Sequence, residues 1–315
     1  MKKILVIKPS SLGDIIHGLQ VVESIRAQVP HSHITWVVES AFESVVNACA
    51  TVDAVIVFQR RGGLRAFMGL LQSIRAERYD IVLDLQGLAR SGLMTCAARA
   101  HMKLGRADAR EGAGLFYSKQ VALPASKHSH AVEILAKFLP ALDLREEVLS
   151  SLRFDFSDLK KDDLLETSSG AVLVFPESRR AEKEWPEFPH FIQAVAARNP
   201  QCRFAWCASE RSAELCPVAN NIINLAGKTS LRQVIALVQA ATMVVANDSG
   251  PVHIAAAVGT PVLAVYGPTP PALYGPYPLE RKTHRTICAA DGQMNSIALE
   301  QVMREFDQLM QVPRV

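Results

Sequence analysis

The feature that most limits what this chain can fold into is a rhythm that occurs twice. Short apolar, largely β-branched runs alternate with helical stretches. In the first half the runs are Ile4–Ile7, Ile34–Val38, Ala54–Phe58 and Ile81–Leu85. Helical patterns lie between them at Asp14–Gln28, from about residue 41, and at Leu64–Ala76. The runs are apolar throughout rather than alternating, as expected of parallel strands covered on both faces. A strand–helix–strand rhythm of this kind predicts an α/β chain with a doubly wound sheet. The polar, acidic stretch 155–170 breaks the pattern, which then restarts. The second set of runs is Ala171–Phe175, Arg203–Trp206, Ile222–Leu225, Met243–Ala246 and Val262–Val265, with helices expected near 187–198, 211–219, 231–240 and 251–258. The organisation expected is two Rossmann-like domains, 1–160 and 170–295. A final segment, 296–315, holds an amphipathic helix near 296–309 that packs back toward the first domain. At 315 residues and 49% hydrophobic content, the chain has apolar material for two cores.

Several function classes are excluded early. There is no G-x-x-x-x-G-K-[ST] and no G-x-G-x-x-G, which argues against P-loop and dinucleotide chemistry. None of the six cysteines forms a C-x-x-C pair, and no His/Cys spacing suits zinc. Most of them sit in apolar surroundings and read as buried reduced thiols, consistent with a cytosolic protein. The four-residue apolar run after Lys3 is ended by Lys8, so it reads as a first strand and not as an export signal. No stretch reaches transmembrane length. Net charge is only +3, too small to indicate nucleic acid. Its distribution says more: residues 60–137 carry Arg60, Arg61, Arg65, Arg75, Arg78, Arg90, Arg99, Lys103, Arg106, Arg110, Lys119, Lys127 and Lys137, with few acids among them. That local basic surface suits an anionic partner.

In open α/β sheets, ligands bind outside the carboxyl ends of the strands, so loops there are where chemistry is sought. After the first run comes Lys8-Pro-Ser-Ser-Leu-Gly-Asp14-Ile-Ile-His17. Asp14 at a helix start either caps the helix and complements its dipole or projects as a general base. His17 lies one turn on, on the same face. After Ala246 comes Asn247-Asp248-Ser249-Gly250-Pro251-Val252-His253, with Pro at the first helical turn. Backbone N–H groups at Ser249 and Gly250, with the helix dipole, suit a diphosphate, although an ordinary capped turn has the same outline. In Phe175-Pro-Glu-Ser178-Arg-Arg-Ala-Glu-Lys183, Ser178 can donate to phosphate and Lys183 can neutralise charge on a leaving diphosphate; a solvated charged loop is the commoner meaning of such a run. Arg60, Arg61 and Arg110 lie in strand-end loops, where paired guanidinium forks recognise phosphate or carboxylate. Surface solubility is the alternative for them.

Taken together these motifs resemble family 9 glycosyltransferases of the GT-B fold, the lipopolysaccharide core heptosyltransferases, and within them the heptosyltransferase I branch. The residues that carry the resemblance are Ser10–His17, Arg60-Arg61, Tyr79–Leu88, Ala109-Arg110-Glu111, Leu115-Phe116-Tyr117, His130–Glu133, Lys183–Pro186, Asp248–His253 and Val265–Thr269. The resemblance covers nearly the whole chain, and the order and spacing of the motifs are its most specific part. It implies two Rossmann-like domains facing each other across a cleft, and transfer of L-glycero-D-manno-heptose from its ADP-linked form to a 3-deoxy-octulosonic acid (Kdo) residue of Kdo-lipid A. Asp14 would take the acceptor proton in one inverting displacement. Donor binding would fall to Ser178, Lys183, Glu210, Thr229, Asp248, Ser249, Gly250 and His253. Acceptor binding would fall to Ser11, Gly13, His17, Arg60, Arg61 and Arg110. No metal and no cofactor besides the ADP-heptose co-substrate is implied, nor any nucleic acid. The expected form is a monomer, cytoplasmic and peripheral at the inner face of the inner membrane. The alternatives are a heptosyltransferase II- or III-like enzyme of envelope glycan synthesis, a nucleotide-sugar epimerase, and a non-enzymatic hinge-type ligand-binding protein.

Overall fold

The computed structural model describes residues 1–126, 128–149, 151–159 and 162–312; Lys127 of the basic stretch and Lys160 and Lys161 of the expected linker lie outside the described residues, as does the end of the closing segment. The chain divides into two compact units, Met1–Asp155 and a second beginning at Phe156. The division falls at the start of the polar stretch. That stretch is not bare linker, because it contains a short helix, Asp163–Ser168, capped by the Asp162 carboxylate.

The first unit is a six-stranded parallel sheet of β1 (Lys3–Ile7), β2 (His33–Glu39), β3 (Ala54–Phe58), β4 (Arg78–Asp84), β5 (Arg99–Arg106) and β6 (Lys119–Val121). The second holds β7 (Val172–Phe175), β8 (Phe204–Trp206), β9 (Ile222–Asn224), β10 (Met243–Asn247), β11 (Val262–Tyr266) and β12 (His284–Cys288). Helices of nine residues or more are α1 (Leu12–Gln28), α2 (Gly63–Ala76), α3 (Ala89–Ala97), α4 (Phe188–Arg198), α5 (Leu231–Ala240), α6 (Gly250–Val258) and α7 (Leu299–Met310).

Strand order is β3-β2-β1-β4-β5-β6 in the first sheet and β12-β11-β10-β7-β8-β9 in the second. Counted from the start of each unit, both are the doubly wound order 3-2-1-4-5-6. Val6 pairs with Trp36 on one side and Leu83 on the other. Val245 pairs with Val174 and Leu263. The winding reverses between β1 and β4 in the first unit and between β7 and β10 in the second. Each reversal opens a crevice at the carboxyl ends of the strands, where the two flanking loops part.

Two strands in the first unit and one in the second lack a readable apolar run. β5 reads Arg-Ala-His-Met-Lys-Leu-Gly-Arg and β12 reads His-Arg-Thr-Ile-Cys, and β6 has only three residues. β6 and β12 are edge strands and β5 lies one in from an edge, so they need little burial on both faces. The helix expected at 211–219 is a 3-10 turn, Glu210–Leu215, and Pro217 follows it. The closing helix α7 departs from the packing expected of it. Its buried residues Val302, Phe306 and Leu309 belong to the core of the second unit, with Phe306 edge-on to Phe191. The thiols also differ from expectation: only Cys49 and Cys207 are buried, Cys202 and Cys216 are partly so, and Cys96 and Cys288 are exposed. Among the described residues no helix is long and apolar enough to cross a membrane.

Candidate functional site

In the first unit the β1 end and α1 start together present Asp14. Ser11 is the N-cap of α1, with extended backbone. Asp14 Oδ2 accepts hydrogen bonds from the Ser11 amide at 3.1 Å and the Ser11 hydroxyl at 2.7 Å. This is the reciprocal arrangement of a capping box, formed with Asp in place of Glu. The cap and the chemistry do not exclude each other, because the Asp14 side chain remains 47% exposed. Its other oxygen lies 3.9 Å from the Lys8 ammonium. Lys8 itself is buried at the end of β1, and that burial pushes its pKa down against the pull of Asp14. Gly13 follows Ser11 in the first turn of α1 and is partly exposed. His17 is buried, its ring edge-to-face with His130 at 5.5 Å between centroids.

The arginines flank this point along the same carboxyl edge. Arg60 and Arg61 follow β3, two strands from β1, or about 10 Å at ordinary strand spacing. Arg60 donates to Glu39 Oε1 at 3.0 Å, and Arg61 is exposed. Arg110 follows β5 on the other side and is exposed, its amide bonded to the Gly87 carbonyl at 2.9 Å. Arg106 is already spent on Asp108, through bonds of 2.8 and 2.6 Å that hold the Asp108 carboxyl below its usual range.

Two groups here were not singled out from the sequence: Lys8 and Asp84. Asp84 ends β4, across the switch point, and is fully buried. Burial pushes its pKa up, against hydrogen bonds from the Gly87 amide at 3.0 Å, the Tyr117 hydroxyl at 2.8 Å and the Gln86 amide at 2.9 Å. It therefore closes the β4 turn, where Gly87 takes φ +73°. Through Tyr117 it also ties down the loop that carries Arg110. A buried Asp at the end of an apolar run could have signalled this.

In the second unit the β7 and β10 ends meet through side chains. Lys183 Nζ lies 2.5 Å from Asp248 Oδ2, the two side chains being 15% and 8% exposed. Ser178 donates its hydroxyl to the Asp248 carbonyl at 3.2 Å. Asn247, fully buried, was not singled out either: it donates to the Pro176 carbonyl at 2.6 Å and accepts from the Trp185 amide at 3.0 Å. It thus fixes both ends of the loop that presents Ser178 and Lys183. Ser249 stands at the N-terminal position before α6, whose first residues are Gly250 and Pro251, and donates its hydroxyl to the Asn247 carbonyl at 3.0 Å. His253 is partly buried in the first turn of that helix.

Glu210 and Thr229 come from the neighbouring strand ends, after β8 and β9. Glu210 is exposed and Thr229 partly so. Glu177 secures this region. Its carboxylate accepts from the Ser212 hydroxyl at 2.5 Å and from the Ser209 amide and hydroxyl at 3.0 and 2.9 Å. Partial burial pushes the Glu177 pKa up, but these bonds and Arg211 hold it low on balance. Arg211 also pairs with Glu184. The donor-side residues are thereby drawn toward one strand-end edge of the second unit. Among the described residues no group of three or more His, Cys, Asp or Glu could hold a metal ion.

Residues 67–301 match the family described as Glycosyltransferase family 9 (heptosyltransferase). A Pseudomonas aeruginosa protein named lipopolysaccharide heptosyltransferase 1 is 31% identical over 87% of this chain and 81% of its own. Its Escherichia coli namesake is 29% identical over 87% of this chain and 91% of its own. Among solved structures, E. coli heptosyltransferase WaaC with ADP superimposes with a TM-score of 0.82 at 26% identity, covering 98% of this chain and 99% of that one. The same protein with ADP-2-deoxy-2-fluoro heptose gives 0.79 at 26% identity, covering 97% and 99%.

Proposed function

The chain belongs to glycosyltransferase family 9, the heptosyltransferases, and on that premise we propose that it moves heptose from ADP-L-glycero-D-manno-heptose to Kdo-lipid A, in synthesis of the lipopolysaccharide inner core. The observation that carries this reading is Asp14: an exposed carboxylate, oriented by Ser11 at the switch point of the first sheet, with arginine loops on both sides.

In the proposed reaction the acceptor hydroxyl oxygen attacks the anomeric carbon of heptose. The bond from that carbon to the diphosphate oxygen breaks, and ADP leaves. Asp14 takes the hydroxyl proton. A single displacement inverts the anomeric configuration and needs one carboxylate. Ser11 holds one carboxylate oxygen, which fixes the direction of the other. Gly13 lets the acceptor approach the start of α1, one turn before the buried His17, which packs edge-to-face on His130. Arg60, Arg61 and Arg110 bind acceptor carboxylate and phosphate.

On the donor side, Lys183, Ser178 and the Ser249 and Gly250 amides offset the charge that builds on the departing diphosphate. Asp248 holds the Lys183 ammonium in place, and His253 lies one turn into the same helix. Glu210 and Thr229 take the ribose and adenine. No residue in this scheme calls for a metal, and the chain acts as a monomer at the inner face of the inner membrane. The test is an assay with ADP-heptose and deacylated Kdo-lipid A. It should release ADP and give a product heavier by one heptosyl group. Release of ADP only with a different acceptor would remove the Kdo assignment.

A further inference from the structure

Among the large apolar side chains exposed on the first unit, Leu64, Met68 and Leu115 lie at its arginine-rich edge. Leu64 and Met68 are 76% and 50% exposed, and they stand four residues apart on one face of α2. Leu70 and Ile74 are buried in the core, with Phe67 and Leu71 packed on it, and Leu64 and Met68 border that face at helical spacing. Leu64 and Met68 continue the apolar stripe of α2 to its first turns, where their side chains stay exposed. Segment 59–76 contains Arg60, Arg61, Arg65 and Arg75 and not one Asp or Glu. The first turn of α2 follows the β3 end, so it lies on the same edge as Asp14 and Arg110.

Leu115, 86% exposed, stands at the other end of that edge, in the turn Ala113–Phe116. The acids near it are engaged: Asp108 by Arg106, and Glu111 by the Ala89 amide at 3.1 Å. Exposed apolar residues in the second unit have other company. Leu215 and Val218 lie in a segment with Glu210 and Glu214 and a single arginine, Arg211, which is paired to Glu177 and Glu184. On the edge beside Asp14, bare apolar side chains stand next to Arg61 and Arg65, while Arg60 is paired with Glu39.

We propose that this edge, led by Leu64 and Met68 of α2 and seconded by Leu115, is a docking surface for an anionic phospholipid bilayer. Leucine and methionine enter the headgroup boundary while the arginines meet lipid phosphates. The inference rests on the acceptor reading above, since a lipid-anchored acceptor must be met at a membrane. It adds where the membrane is met. A helix at the acceptor edge places the glycan of a lipid-held acceptor within reach of Asp14, and the transferred sugar need not leave the surface.

The full chain and its Leu64→Glu/Met68→Glu variant are sedimented with vesicles of phosphatidylglycerol and phosphatidylethanolamine, or of phosphatidylcholine alone. Both proteins are also assayed with vesicle-embedded Kdo-lipid A and with its soluble deacylated form. The parent should bind anionic vesicles and not phosphatidylcholine. The variant should lose roughly a hundredfold or more in partitioning, the loss expected for two buried apolar side chains. It should lose transfer to the embedded acceptor in step, and keep transfer to the soluble acceptor within about twofold. That retained rate also shows the variant is folded. Leu215→Glu/Val218→Glu should change nothing. Equal vesicle binding by parent and Leu64→Glu/Met68→Glu, no binding by the parent, or equal binding to phosphatidylcholine overturns the proposal. Failure of the parent on the soluble acceptor would instead strike the acceptor reading, and vesicle binding is read independently of it.

Discussion

The ammonium of Lys183 and the carboxylate of Asp248 meet at 2.5 Å in a largely buried pair that joins the loop after β7 to the loop after β10. Removing one member leaves the other buried without its counter-charge, which costs about 3 kcal/mol or more. Asp248→Asn is therefore expected to lower the thermal midpoint of the second unit markedly. Lys183→Met should lower kcat by roughly 10²–10³-fold, the usual effect of deleting one donor to a developing oxyanion. Melting curves and initial rates of ADP release separate the two. If Lys183→Met melts early but turns over normally, the lysine is structural only.

Gly105 is required for Tyr117 to lie where it does. A Cβ at Gly105 would sit 2.1 Å from the Tyr117 ring, so the ring must move if any side chain is added. Moving it withdraws the hydroxyl from Asp84, a buried carboxylate. Gly105→Ala is expected to destabilise the first unit by about 1–3 kcal/mol, as for a buried acceptor that loses a partner. Tyr117→Phe, which deletes the hydroxyl and keeps the ring, should cost a similar amount. Urea unfolding of both variants checks this, and parental stability for Gly105→Ala would contradict the assignment.

His284 gives the second unit a pH dependence whose sign is fixed. Burial lowers its pKa from 6.5 to about 4. Nδ1 donates to the Pro278 carbonyl at 2.7 Å, and Nε2 is buried with no hydrogen-bond partner among the described residues. Between those two pKa values the unfolded chain holds the proton and the folded one does not. Stability from this group is thus present above about pH 6.5 and falls by roughly 1.4 kcal/mol per pH unit down to about pH 4. Thermal midpoints across that range should fall less steeply for His284→Gln. Parallel curves for the two proteins would rule His284 out as the source.

The sequence was most legible where burial is complete. The central strands β1, β2, β4, β7, β10 and β11 are apolar runs, and both switch-point loops follow from them. β5, β6 and β12 were not legible, because strands at or near a sheet edge carry Arg, His, Lys and Thr without penalty. Of the site, Asp14, Lys183 and Asp248 could be picked out as polar residues interrupting apolar elements at strand ends. What local pattern does not reveal is pairing across the chain. Nothing near residue 183 announces Asp248, and nothing near Asp84 announces Tyr117. The supporting groups Lys8, Asp84, Glu177 and Asn247 act through such long-range contacts: each stands at or just after the end of an apolar strand, but the partner it engages is not written near it. The closing helix is amphipathic on any reading. Which core receives Phe306 depends on the shape of the second sheet, which no helical period contains.

Asp14 is at once the cap of α1 and the proposed base. Asp14→Asn separates the two, since an amide oxygen can still accept from the Ser11 amide and hydroxyl but cannot take a proton at neutral pH. The measurement is the single-turnover rate of heptosyl transfer by Asp14→Asn at saturating donor and acceptor, with ADP affinity determined on the same protein. If Asp14 is the base, the rate falls by about 10²–10⁴-fold with ADP affinity unchanged. A rate within a few-fold of the parent, at the same ADP affinity, would contradict it.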